Sequence, residues 1–336
     1  MSRPCNTSEA PLAVTARHLS KTYWFYEKEP GLSGAVKALF KGRKTVVRAV
    51  QDIDFRLHTG EVVGFIGPNG AGKTTTLKML AGILFPSGGT LDVLGHIPHR
   101  REKEFLKKIA FVAGQRNRLF WDLPAEEYFQ FCKIVYEIPD EHYFAAKTRL
   151  VEMAGIGDTL AVPQRKLSAG QRKRCELVAA LLHDPRVIFL DEPTNALDLV
   201  NARKLREFIR AKAKAGNHGI ILTSHNMADI GEVCDRIVII NAGQIAFDGS
   251  LSSMYRRFAT KKQIKILFNG PWSRDLVARL GELTIVDPHE AVLEVEPAET
   301  ARVAAHICSN FPIRDITIIE APIERIIEAI YAQRQK

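Results

Sequence analysis

An α/β fold with a largely parallel sheet, followed by a smaller α+β module, is predicted by three observations. Short runs rich in β-branched residues, VVGFIG (62–67), VIFL (187–190), GIILTS (219–224) and RIVIINAG (236–243), are bounded by turn residues and read as buried parallel strands. Helical periodicity fills the gaps between them, at 73–84, 169–182 and 202–215, and that alternation is the pattern of α/β proteins. After Ser250 the chain turns polar and basic (SLSSMYRRFATKK) and a different rhythm begins.

The boundary is therefore placed there: a first domain over 1–250, a linker over 251–262 and a second domain over 263–336. In the second domain KQIKILFN reads as a strand, SRDLVARLG as a helix and ELTIVDPHEAVLEVEP as a hairpin turning at Asp287-Pro288. AETARVAAHICSNF then reads as a helix and RDITIIEA as a strand, before an amphipathic end helix. Strand-helix-strand-strand-helix-strand is the order of a ferredoxin-like module.

A length of 336 residues suits two domains, and 46% hydrophobic with 25% charged residues is a globular composition. No run approaches the roughly 18 apolar residues of a membrane-spanning helix, and MSRPCNTSEAPLA lacks the apolar core of a secretory signal, so a cytoplasmic chain is expected. Cys5, Cys132, Cys175, Cys234 and Cys308 are scattered and never spaced CxxC, which excludes a zinc-site spacing and argues against a disulfide framework. A net charge of +9 is compatible with nucleic acid, an anionic membrane face or solubility alone.

The chemistry begins at GPNGAGKT, from Gly67 to Thr74, which fits G-x-x-x-x-G-K-[ST], follows a strand and opens a helix. Backbone N–H groups of Gly67, Asn69–Gly72 and the helix start at Lys73, Thr74 and Thr75 are placed to wrap phosphates; Pro68 belongs to the same loop but has no N–H to give. Individually, Asn69, Gly70, Ala71 and Gly72 form the loop, Lys73 neutralises the β and γ oxygens, and the Thr74 hydroxyl is a ligand for Mg²⁺. VIFLDEPT then ends a strand on Asp191 and Glu192, two carboxylates at the carboxyl edge of the sheet, one for a metal and one to act on water.

With LSAGQ (167–171) upstream of that strand and TSH (223–225) after it, the chain resembles the ATP-binding-cassette (ABC) transporter ATPases over roughly residues 12–250. That resemblance implies a P-loop NTPase cassette with a RecA-like core sheet, an antiparallel β subdomain and a helical subdomain. It implies that Asp191 coordinates the metal and that Glu192 polarises the attacking water. His225 is then the switch histidine at the γ-phosphate, and Gln115 the glutamine that touches the metal and faces the membrane partner. Ser168, Gly170 and Gln171 occupy the signature positions that bind the γ-phosphate held by the opposite subunit, with Ala169 replacing a glycine of that pattern. Asn195–Asp198 (NALD) resembles the segment that communicates across the dimer, and Asn195 departs from the more usual Ser or Gly. LSKTY (19–23) resembles the segment whose aromatic ring stacks on adenine; Tyr23 is the residue chosen, with Trp24, Phe25 and Tyr26 competing for the register.

The implied function is an ATP-hydrolysing subunit that dimerises around ATP and Mg²⁺, with a second copy or a paralogue, and powers a separate integral membrane permease. It would sit at the inner face of the cell membrane through that permease, with no nucleic-acid partner. An excursion at about 26–46 places Leu32, Val36, Leu39 and Phe40 on one helical face beside Lys37, Lys41, Arg43 and Lys44. It reads either as a solvated basic hairpin or as the insertion seen in ATPases of ABC-2-type exporters; KEPGL and NRLFWDLP resemble those associated with viologen or multidrug export. Leu119, Phe120 and Trp121 are either a groove for a coupling helix or core residues. The competing class is an ABC ATPase acting on ribosomes or nucleic acid, which usually carries two cassettes or long insertions that this chain lacks.

Overall fold

The computed structural model describes residues 10–26, 44–114, 120–195, 197–215, 217–224, 226–259 and 261–333. Gln115, Leu119 and His225, and the residues 27–43 that carry Leu32, Val36, Lys37, Leu39, Phe40, Lys41 and Arg43, lie outside them. The chain divides into two units, Met1–Asp248 and Gly249–Lys336.

In the first unit β1 (Leu12–Tyr26) and β2 (Lys44–His58) pair antiparallel, from Leu12 opposite His58 to Tyr26 opposite Lys44. Lys44 to Val46, assigned by sequence to the excursion, are therefore strand, and Trp24 sits opposite Val46. β3 (Val62–Ile66) follows, and β4 (Gly88–Val93) joins the other edge of β1 to give a sheet of order β2-β1-β4. This is the antiparallel layer expected of the cassette.

The second layer is the parallel sheet. β5 (Ile109–Val112), β6 (Val187–Asp191), β7 (Gly219–Thr223), β8 (Arg236–Asn241) and β9 (Gln244–Gly249) combine with β3 in the order β5-β6-β7-β3-β8-β9. β3, β6 and β7 are buried at every position, which is why they read as unbroken apolar runs rather than alternating ones. The core fills the space between the two sheets, with Phe55 of β2 edge-on to Phe65 of β3 at 5.0 Å between centroids. Helix Lys73–Leu80 buries Leu77, Met79 and Leu80 into that core. It ends earlier than the periodicity to Leu84 suggests.

Helices Ala125–Val135, Asp140–Ala154 and Ala169–Leu181 form the helical part, anchored by the buried rings of Phe129 and Tyr143. Helix Leu199–Lys214 follows β6 and begins three residues before Ala202, because Asp198 caps it by accepting from the Asn201 N–H at 2.9 Å.

The second unit opens with helix Leu251–Phe258, capped by Ser250, where the sequence suggests a linker. β10 (Lys262–Phe268), β11 (Glu282–Asp287), β12 (Glu290–Val295) and β13 (Ile313–Glu320) make an antiparallel sheet of order β11-β12-β10-β13. Helices Arg274–Ala278 and Thr300–Asn310 supply Val277, Val303 and Ile307 to its core, so the ferredoxin-like order is present. The hairpin turns at Pro288-His289, where the His289 N–H donates to Asp287 Oδ1 at 2.7 Å. The end helix, Ile323–Gln333, buries Ile326, Ile327 and Ile330.

Candidate active site

Every buried parallel strand of the first unit delivers something to one edge of the sheet. β3 leads into the loop at Gly67, whose Cβ position lies 2.3 Å from the Ile240 carbonyl oxygen, so no side chain fits there. Gly72 closes the loop at φ 109°, with its Cβ position 2.4 Å from the Ala49 carbonyl oxygen. Between them lies a cleft of about 850 Å³, lined by Asn69–Thr75, Tyr23, Phe111, Gly114, Asp191 and Glu192 among others. That volume falls within the range that encloses a nucleotide-sized ligand.

Lys73 curls back on the loop and donates to the carbonyl oxygens of Gly67 at 2.6 Å and Pro68 at 3.0 Å. Burial pushes its ammonium pKa below the ordinary lysine value, against the opposing pull of Glu192 and Asp191. Beside it, the Thr74 hydroxyl donates to the Asp191 carboxylate, at 3.0 and 3.1 Å from its two oxygens. Asp191 also accepts from the Thr223 hydroxyl at 2.8 Å. Thr74 and Asp191 thus bring hard oxygen donors together at the end of the phosphate loop, the donor type that a hard divalent cation takes. Among the described residues there is no cluster of three His, Cys, Asp or Glu side chains for a metal, so any such cation is completed by ligand oxygens and water.

Glu192 follows at φ 48°, a left-handed backbone that is strained for a residue with a side chain. Its N–H donates to both the carbonyl oxygen and the hydroxyl oxygen of Thr223, each at 3.0 Å. The Asn195 amide nitrogen donates to Glu192 Oε2. Neither Thr223 nor this use of Asn195 was anticipated from sequence; the threonine that precedes SH in TSH is the signal that was there to find. Thr194 and Ser224 extend the network by donating to buried Asp229, at 2.5 and 2.8 Å, and Arg206 pairs with Asp229 at 3.0 Å.

Alternation separates the described aromatic side chains. Tyr23 and Phe25 share one face of β1, stacked at 6.3 Å, while Trp24 points the other way, and of Tyr23, Trp24 and Phe25 it is Tyr23 that lines the cleft. Lys21 Nζ lies 5.2 Å from the Tyr23 ring centroid.

The signature residues stand elsewhere. Ser168 caps helix Ala169–Leu181 in a reciprocal capping box: its hydroxyl accepts from the Gln171 N–H at 3.2 Å, and its own N–H donates to Gln171 Oε1 at 2.8 Å. Ser168, Gly170 and Gln171 do not line the cleft of their own chain. Ala169 is the first residue of that helix, a position that alanine occupies without strain.

Gln115 and His225 are flanked by described residues. A Cβ on Gly114 would lie 3.0 Å from the Asp191 carbonyl oxygen and 3.4 Å from Glu192 Cβ, so the backbone at Gly114 runs against the chain at Asp191 and Glu192. Phe120 and Trp121 are surface residues, 50% and 55% exposed, not core. Phe120 packs edge-on to Tyr128 and Phe131, and the Arg172 guanidinium lies 5.2 Å from the Trp121 ring. Next to them is a pocket of about 190 Å³ lined by Phe111, Phe131, Tyr136 and His183.

Residues 50–195 match the family described as ABC transporter, and residues 260–319 match the C-terminal domain of EvrA-like ABC transporters. Over 216 residues the chain is 34% identical to the ABC transporter ATP-binding protein NatA of Bacillus subtilis, covering 64% of this chain and 87% of NatA. It is 28% identical to the linearmycin resistance ATP-binding protein LnrL of the same organism, covering 85% and 93%. Similarity to human ATP-binding cassette sub-family A member 10 covers 98% of this chain at 26% identity but only 20% of that protein. Among solved structures, the ATP-binding subunit of an ABC transporter superposes with a TM-score of 0.62 at 24% identity, covering 73% of this chain and 93% of that one. An ATP-binding cassette solved as a dimer in a post-hydrolysis state, with ADP and Pi, gives 0.58 at 22%, covering 71% and 98%.

Proposed function

The chain belongs to the ABC transporter ATP-binding proteins, and on that premise we propose that this ATPase drives substrate export through a separate permease of the ABC-2 type. One observation carries the mechanism. The loop, Lys73, Asp191 and Glu192 share one cleft, whereas the capped helix start at Ser168 stands outside it. The cleft is half of a site, completed by the Ser168, Gly170 and Gln171 of a second copy or paralogue.

In that assembly Lys73 leaves the Gly67 and Pro68 carbonyls for the β and γ oxygens of ATP. Tyr23 stacks on the adenine. Thr74 and Asp191, with Gln115, would hold Mg²⁺, which would offset phosphate charge. Glu192 orients the attacking water and takes its proton as the oxygen bonds to the γ-phosphorus and the bond to ADP breaks. His225 and the partner's helix N-terminus stabilise the γ-phosphate. Loss of that phosphate bridge reopens the dimer.

Permease docking is supported by the exposed aromatic residues Phe120, Trp121 and Phe131 beside the pocket at His183. Among the described residues no helix is long and apolar enough to cross a membrane, so the membrane-spanning part is assigned to the partner, with this chain on the inner face. Export is supported by the resistance function in the name of LnrL, which matches 85% of the chain.

Mixing two inactive variants tests the shared site. Glu192→Gln removes the base and Ser168→Arg blocks the signature, so each alone is expected to be inactive. In a mixed dimer one composite site is intact, and a 1:1 mixture with independent sites regains about a quarter of the parental rate. No recovery, with mixed dimers demonstrated by differential tagging, refutes the half-site reading. Affinity purification from native membrane, with a multi-span protein recovered alongside, tests the permease.

A further inference from the structure

Thr223 holds the backbone of Glu192, and Asn195 reaches its carboxylate. The backbone of Glu192 is held at φ 48° by its N–H, shared between the oxygens of Thr223. Asn195 acts on the side chain: its amide nitrogen donates to Glu192 Oε2, and its own N–H donates to the Glu192 carbonyl oxygen at 3.3 Å. An ionised carboxylate only accepts, so the amide is oriented with its nitrogen toward Glu192.

We propose that Asn195 is a positioning residue for ATP hydrolysis, holding the Glu192 carboxylate where it meets the attacking water. The proposal rests on the assignment of Glu192 as the group that acts on water. Asn195 does not line the cleft of its own chain, whereas Glu192 does, so it reaches that cleft through Glu192. The adjacent carboxylate needs no such help: Asp191 is already gripped by the hydroxyls of Thr74 and Thr223. Glycine at position 195 would offer no side-chain donor, and serine only one on a shorter arm. The departure from Ser or Gly at this position therefore supplies Glu192 with a side-chain donor of the length that reaches its carboxylate.

Shape and hydrogen bonding are separated by two substitutions. Asn195→Asp keeps the shape and replaces the donor by a second carboxylate, which repels Glu192; Asn195→Ala removes both shape and donor. On the purified full-length chain, Asn195→Ala is expected to lower kcat about 10-fold, the loss of one charge-assisted hydrogen bond. Asn195→Asp is expected to fall at least about 10-fold further, with KM for ATP within about 2-fold of the parent. Asn195→Ser, which keeps a donor and serves if the aspartate variant does not fold, is expected to lie between parent and alanine. A space-filling role predicts the opposite order, with aspartate milder than alanine and serine no better than alanine, and that order overturns the proposal. If Glu192→Gln itself hydrolyses ATP at the parental rate, the assignment of Glu192 fails and the proposal falls with it; an inactive Glu192→Gln with an unharmed Asn195→Asp sinks the proposal alone.

Discussion

Replacing Thr223 with valine keeps the branched shape at the end of β7 and deletes one hydroxyl. That hydroxyl donates to Asp191 Oδ1 at 2.8 Å and accepts from the Glu192 N–H at 3.0 Å. Thr223 is fully buried, so water does not replace it. Losing the bond to the charged carboxylate costs about 1.5–3 kcal/mol, and losing the second acceptor adds little, since the Glu192 N–H keeps the Thr223 carbonyl oxygen at 3.0 Å. A net loss of about 2 kcal/mol in the stability of the first unit is expected.

The catalytic consequence is larger than the structural one, because the same hydroxyl holds the Asp191 carboxylate and the backbone of Glu192. Freed on one side, Asp191 rotates toward Thr74, and Glu192 is released from one of the two acceptors that hold its strained backbone. A fall in kcat of about 100-fold is expected, from misplacement of a reacting group by a fraction of an ångström to 1 Å. Steady-state ATPase measurements give the rate, and urea unfolding followed through the transition that ATP shifts gives the stability of the nucleotide-binding unit. Thr223→Ser keeps the hydroxyl and is expected to retain most of the activity. A valine variant with the parental rate refutes the coupling of Thr223 to the carboxylates, whatever its stability.

Tyr23→Ala is expected to weaken ATP binding about 10-fold through loss of aromatic stacking, with Tyr23→Phe near parental and Trp24→Ala unchanged; equal losses at 23 and 24 contradict the strand register. Acid sensitivity is expected at His183, whose Nε2 donates to the Ile109 carbonyl oxygen at 2.9 Å and whose ring stacks on Tyr136 at 3.9 Å. Burial pushes its pKa below the ordinary histidine value, so the unfolded chain takes up the proton first; its share of stability is complete above the unfolded pKa and is lost as pH falls below about 6.5. His183→Gln is expected to flatten that slope in urea titrations between pH 7.5 and 5.5, and an unchanged slope rejects His183 as the source.

Much of the site was legible because its chemistry is written in contiguous stretches. Gly67, Lys73 and Thr74 belong to one loop, and Asp191 and Glu192 to one strand end, so residue type and order were enough. What was not legible depends on contacts between strands distant in sequence. Thr223 meets Asp191 only because β6 and β7 pair in register, Asp191 opposite Thr223. Tyr23 could not be separated from its three neighbours, since bulges shift the face that a strand residue takes, and β1 carries several before that point. Phe120 and Trp121 read equally well as core or surface, because an apolar run has no direction until its neighbours are placed. The early start of the second unit's first helix was hidden by its polar composition, although Ser250 was a fitting N-cap.

On the proposed half-site reading, charge gives a cleft with all these parts a reason to need a partner. Among the described residues its charged lining consists of Lys73, Lys78, Asp191 and Glu192, two positive against two negative. ATP brings about four negative charges, which such a lining cannot balance alone. The loop N–H groups of Gly70 to Thr74 and a divalent cation at Thr74 and Asp191 supply part of the deficit. The remainder has to arrive as further positive potential at the γ-phosphate, and the exposed helix start at Ser168 provides it when contributed by another chain. In the proposed assembly, a described lining with balanced charges and a signature helix outside its own chain's cleft would make closure of the dimer depend on the nucleotide's full charge. Cleavage of the γ-phosphate would reduce that charge where the two chains meet, so the same balance that draws the cassettes together would release them.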